Sequence, residues 1–97
     1  MPAAAPRFQI DSALVKALAR AFRWQQLLDR GTYSTIKEIA TKEKIDPSYA
    51  GDVLRLNLLA PDIIEMILDG RQPPGLQFEQ LRKPFPLDWR QQRDAIR

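Results

Sequence analysis

Thr35–Leu56, TIKEIATKEKIDPSYAGDVLRL, carries two helix-start signals separated by a turn. Thr35 with Glu38 three residues later has capping-box spacing, in which the hydroxyl and the carboxylate each satisfy an otherwise orphaned backbone N–H, so a helix is expected to begin at Ile36. Asp46 followed by Pro47 repeats the message, because Asp caps well and Pro at the first helical position loses no needed hydrogen bond. A second helix is therefore expected from Pro47 to Leu56. Ala40 is small where the two helices must approach, Ile45 plugs the turn, and Ala50, Val53 and Leu54 give the second helix one buried face. This layout is a helix-turn-helix, and it points to double-stranded DNA with the second helix in the major groove. Lys44 occupies the end of the first helix, where many such units place Gly because φ is positive; a side chain there costs on the order of 1 kcal/mol.

Composition narrows the function classes. With 97 residues the chain is long enough for one small core, and its 44% apolar content is ordinary for a globular protein. It has no Cys and no His, which removes disulfides, thiolate chemistry, zinc-finger ligation and imidazole catalysis. No catalytic residue, metal, cofactor or small-molecule substrate is expected. No apolar run approaches the roughly 20 residues of a membrane span, and the N-terminus lacks a signal-peptide core, so no membrane partner is expected and the location reads as cytoplasmic.

The net charge of +3 is unevenly spread. Residues 1–45 carry eight Lys/Arg against four acids, residues 46–70 carry Arg55 against five acids, and residues 71–97 carry six basic groups against three acids. Basic charge thus flanks the second motif helix in sequence and is scarce within it. Grip on a polyanion would have to come from the flanking segments.

Working outward, residues 1–10 have little to pack and read as a disordered leader, and residues 11–97 as a single domain. From Asp11 or Ser12, either of which can cap, Leu14, Val15, Leu18, Phe22, Leu27 and Leu28 recur near helical spacing up to Asp29, with Gly31 as a stop. Lys16, Arg20 and Arg23 share another face of this helix, as a solvated surface or a phosphate-contacting ridge. Asn57–Ala60 reads as a break. Pro61-Asp62 starts a further helix through Leu68 that ends at Gly70, and Arg71–Gly75, with two adjacent prolines, reads as a loop. A C-terminal arm, 71–97, holds a turn or two of helix within Leu76–Arg82, an extended Pro84-Phe85-Pro86 link, and a last helix capped by Asp88 and Gln91. Trp24, Phe22, Phe78, Phe85 and Trp89 all read as core. No segment alternates with period two. The expected fold is all-α, about five to six helices built around the helix-turn-helix.

Ile45-Asp46-Pro47-Ser48-Tyr49-Ala50 through Leu54-Arg55-Leu56, followed by Leu58-Leu59-Ala60-Pro61-Asp62-Ile63, resembles the helix-turn-helix of the ParB partition and KorB-type repressor family. In that family a Ser-x-x-Val-x-x-x-Leu-Arg-Leu recognition helix leads into a Leu-x-x-Pro start of the next helix. Lys44 in the Gly slot and Ala50 in the Val slot depart from the pattern. More of the chain is similar to a C-terminal region of bacterial and phage large serine recombinases. The matching stretches are Leu18-Ala19-Arg20-Ala21, Arg23-Trp24, Leu59–Ile63, Ile67-Leu68-Asp69-Gly70-Arg71-Gln72-Pro73 and Pro84-Phe85-Pro86-Leu87-Asp88-Trp89. The resemblance implies a DNA-binding appendage of a phage or mobile element, a recombinase accessory or a transcription regulator. The recombinase catalytic domain and its nucleophilic serine have no counterpart, so strand cleavage does not carry over. Either a piece of a larger enzyme or a free-standing relative would contain such a region, and Met1-Pro2-Ala3 looks like a natural start.

With Ala50, Val53 and Leu54 inward, Ser48, Tyr49, Asp52 and Arg55 face outward as base-edge and backbone candidates. Arg55 can pair bidentately with guanine or a phosphate, and Ser48 and Tyr49 can donate near the helix N-terminus. Asp52 would accept from cytosine or hold Arg55 through their three-residue spacing. Thr35, Lys37, Lys42 and Lys44 are candidates for phosphate contacts. Asp62, Glu65 and Asp69 have the spacing of an ordinary solvated helix face rather than of a carboxylate active site. The competing reading is a protein-interaction module on the same scaffold, marked by an exposed apolar patch involving Leu56, Leu58, Trp89 or Ile96. A homodimer is an arrangement open to either reading, since paired units read two half-sites.

Overall fold

The computed structural model describes residues 10–96, and the expected leader lies outside them apart from Ile10, which is exposed. Among the described residues the fold is all-α, with helices α1 (Ser12–Asp29), α2 (Ile36–Glu43), α3 (Pro47–Leu54), α4 (Pro61–Leu68), α5 (Phe78–Arg82) and α6 (Trp89–Ile96). A single turn of 3-10 helix, Arg55–Leu58, continues α3. The chain divides into two compact units, one Lys16–Leu58 and the other formed by residues 10–15 with 59–96.

The unit Lys16–Leu58 contains the helix-turn-helix. α1 begins where Asp11 Oδ1 accepts from the N–H groups of Ala13 and Leu14, at 3.0 and 3.2 Å. Its buried stripe is Leu14, Ala17, Leu18, Ala21 and Trp24, spaced at three and four residues as one helix face requires. This corrects the expected face, because Phe22 is 37% exposed while the small Ala17 and Ala21 are inside. Reading only large apolar residues rotated the face by about one position. Ala side chains permit a close approach of neighbouring backbone, so they mark a packing face as surely as Leu.

α2 packs directly on α3. Thr35 Oγ1 accepts from the Glu38 N–H at 3.1 Å, as its capping position requires, whereas the Glu38 carboxylate reaches past the cap residue to the Ser34 N–H at 3.2 Å. At the other end Lys44 is left-handed, with φ 58° and ψ 47°. The Ile45 N–H donates to the Ala40 carbonyl at 3.0 Å and the Lys44 N–H to that of Thr41 at 3.4 Å, the paired bonds of a Schellman end. α1 and α4 finish with the same bond pairs around Gly31 and Gly70, whose φ values are 77° and 74°.

Asp46 stands at the N-cap of α3, but its side chain makes no capping bond, against expectation; Pro47 has no N–H to offer and the start of α3 rests on the proline's fixed φ. The expected run of α3 to Leu56 and the break at Asn57 are also corrected. The helix tightens after Leu54 into the 3-10 turn, held because Asn57 Nδ2 donates to the carbonyls of Leu54 and Ala21 at 3.0 and 2.9 Å. Asn57 thereby ties this turn to α1.

In the other unit, Leu59, Ala60, Ile63, Ile67, Leu76 and Leu81 are buried. α5 starts with Gln80 Oε1 accepting from the Gln77 N–H, and α6 with Asp88 Oδ1 accepting from the Gln91 N–H. The inward residue of α6 is Gln92, at 1% exposure. Its Oε1 accepts from the Ala60 N–H and its Nε2 donates to the Pro86 carbonyl, both at 2.8 Å. A buried amide satisfied at both ends fixes α6 against the start of α4 and the proline link. Trp89, expected in the core, is instead 50% exposed at the first position of α6. Phe78 and Phe85 are half-buried, and Trp24 is fully buried.

Candidate nucleic-acid interface

The outward side of α3 is built by its inward side. With Ala50 and Val53 fully buried and Leu54 nearly so, the 100° step per residue directs Ser48, Asp52 and Arg55 away from the core. Ser48 is exposed; Tyr49, Asp52 and Arg55 are half-buried. Of the two roles open to Asp52, the structure shows contact with Arg55: Nη2 lies 3.2 Å from Asp52 Oδ1. The carboxylate lowers the local positive charge and restricts the guanidinium.

Tyr49 lies on the flank of α3 and its hydroxyl accepts from Arg20 Nη1 of α1 at 3.2 Å. The bond joins the basic ridge of α1 to the first turn of α3. Lys16, Arg20 and Arg23 are all exposed, and their rise along α1 spans about 10 Å. In the sequence this ridge and Tyr49 stand apart, and a contact between positions 29 residues apart has no local sequence signal.

On α2, Thr35, Lys37 and Lys42 line one shallow surface groove together with Glu38 and Thr41. Thr35 is already committed as the helix cap, and Lys37, Lys42 and Lys44 project into solvent. Grouped by unit, the basic excess lies with the helix-turn-helix. Lys16–Leu58 carries eight Lys/Arg against five acids, whereas residues 10–15 with 59–96 carry five against seven. Seven basic residues that precede α3 in sequence, from Lys16 to Lys44, thus belong to the same compact unit as α3.

Several basic groups of the C-terminal arm are engaged with carboxylates. Arg71 pairs with Asp69 at 2.9 Å, Arg82 with Glu79 at 3.7 Å, and Arg93 with Asp62 at 2.7 Å. The last is bidentate, with Arg93 Nη2 donating to Asp62 Oδ1 at 3.0 Å. Hydrogen bonding from Arg93 holds the Asp62 carboxyl below the usual range, and Asp62 in turn raises the guanidinium. Asp62 and Asp69 are therefore structural ion-pair members. Among the described residues no group of three or more Asp or Glu side chains is placed to hold a metal ion, and no helix is long and apolar enough to cross a membrane.

In comparisons with known proteins, no family model, no curated protein and no solved structure matches the chain.

The four residues expected to mark an apolar patch differ in exposure. Leu56 is fully buried and Ile96 half-buried, while Leu58 and Trp89 are exposed.

Proposed function

We propose that this chain is a sequence-specific double-stranded DNA-binding protein in which α3 enters the major groove. Ser48, Tyr49, Asp52 and Arg55 face base edges and adjacent phosphates, while Lys16, Arg20 and Arg23 of α1 and Thr35, Lys37, Lys42 and Lys44 at α2 grip the backbone. The observation that carries this reading is the excess of exposed basic side chains within the same unit as the helix-turn-helix. Affinity then comes from the flanks and discrimination from α3, the usual division between phosphate and base contacts. The resemblance to recombinase C-terminal regions supports attachment-site DNA of a phage or mobile element as the target class, with the chain acting in the cytoplasm as a recombinase accessory or a transcription regulator.

The test is binding to labelled attachment-site and genomic duplex at low salt. Binding there, weakened by Arg55→Ala, supports the reading, and undetectable binding at low salt removes it. A second reading, docking of a protein partner or a second copy, is favoured by the exposure of Leu87 and Trp89. Sedimentation of the wild type and Trp89→Ala tests it: self-association lost on substitution would support a homodimer through that surface.

A further inference from the structure

Gly51 sits in the interior of α3, where a glycine is costly. It raises the entropy lost on folding and weakens a helix relative to Ala. Two reasons within a fold normally justify one. The first is a positive φ, and Gly51 has none: the positive-φ glycines are Gly31 and Gly70. The second is crowding, and a Cβ built at Gly51 would meet nothing within 4 Å. The folded chain alone therefore supplies no reason for the missing side chain. On the helix surface Gly51 neighbours Ser48, three residues before it, and Arg55, four after it. It leaves a strip of bare backbone between the two outward side chains best suited to DNA.

We propose that Gly51 is the point of closest approach between α3 and the duplex, a position kept bare so that Ser48 and Arg55 can reach DNA on either side of it. This rests on the DNA-binding reading and deepens it. A methyl group at 51 would stand between α3 and the nucleic acid, holding back the flanking side chains. Stability and binding are set against each other here, because the substitution that improves the helix obstructs the interface.

The experiment is Gly51→Ala in the full chain, with thermal unfolding and titration of a fluorescein-labelled duplex pool carrying a randomised core. Gly75→Ala is the control, since a Cβ there also meets nothing within 4 Å and the residue lies outside the motif. Gly51→Ala is expected to raise Tm by about 2–8 °C and to weaken duplex binding by roughly ten-fold or more, the scale of forcing a methyl group into a packed contact. Gly75→Ala is expected to bind as wild type. If Gly51→Ala is stabilised and binds duplex as tightly as wild type, the close approach is refuted while DNA binding stands. An equal loss in Gly75→Ala, or a fall in Tm for Gly51→Ala, also overturns it. Absence of wild-type binding overturns both.

Discussion

Replacing Lys44 with Gly should stabilise the protein, although it removes a charged residue from the motif. Lys44 is the positive-φ residue other than glycine among those described, and its φ of 58° and ψ of 47° lie in the left-handed helical region. There a side chain costs about 1–2 kcal/mol, from the approach of Cβ to the following carbonyl. Against this, glycine has more freedom to lose from the unfolded chain, about 0.4–1 kcal/mol. The difference favours Lys44→Gly by about 0.5–1 kcal/mol, or roughly 2–8 °C in Tm for a chain of this size. No buried contact is forfeited, since Lys44 is exposed. The equivalent positions ending α1 and α4 already hold Gly31 and Gly70, with matching bond pairs. Urea denaturation followed by circular dichroism measures the effect, with an unchanged m-value showing that the transition is otherwise the same. A neutral or destabilising result would refute the left-handed turn at Lys44, and with it the geometry that sets α3 against α2. If Lys44 also contacts a phosphate, the same variant loses about 0.9 from the slope of log affinity against log salt.

Three further outcomes follow from named contacts. Asp62 has its folded pKa depressed by Arg93, so its contribution is present above the ordinary Asp range and is lost as pH falls through the lower folded value. Acid titration of stability should therefore be shallower below about pH 4 in Asp62→Asn than in wild type, and parallel curves would contradict the pairing. Gln92→Leu leaves the Ala60 N–H and the Pro86 carbonyl without their partner, which should cost about 2–4 kcal/mol in urea denaturation; a loss under about 0.5 kcal/mol would show that the buried amide does not anchor α6. Tyr49→Phe should weaken duplex binding in the wild-type background and have no further effect in Arg20→Ala, because the hydroxyl orients that guanidinium. Additive losses in this double-mutant cycle would separate the two residues.

Much of the motif was legible because its signals are local. Thr35, Pro47, Pro61 and Gly70 each act through the backbone within one turn of themselves, and each stands at the helix boundary that its chemistry dictates. The misreadings arose where local appearance and tertiary packing diverge. Phe22 looked like core and Ala17 and Ala21 did not, because the packing face of α1 is chosen by fit and not by side-chain size. Gln92 gave no apolar signal; its burial depends on a backbone N–H and a carbonyl distant in sequence. Asn57 looked like a break and is instead the residue that holds the 3-10 turn. In the candidate interface, the outward positions of Ser48, Asp52 and Arg55 followed from helical spacing, whereas Tyr49, expected in the same set, lies on the flank against Arg20. The Arg20–Tyr49 bond and the open space beside Gly51 required three-dimensional placement.

The central claim is that the helix-turn-helix reads duplex DNA while the exposed cations around it provide the grip. The most direct measurement is the affinity for duplex as a function of salt concentration. Four to six of Lys16, Arg20, Arg23, Lys37, Lys42 and Lys44 neutralising phosphates would give a slope of log affinity against log salt of about −4 to −5. That corresponds to a ~10²–10³-fold loss between about 50 and 200 mM. Replacing Lys16, Arg20 and Arg23 together by Ala should bring the slope about 2.7 closer to zero. Binding that is undetectable at low salt, or unchanged by salt and by the triple substitution, would contradict the account.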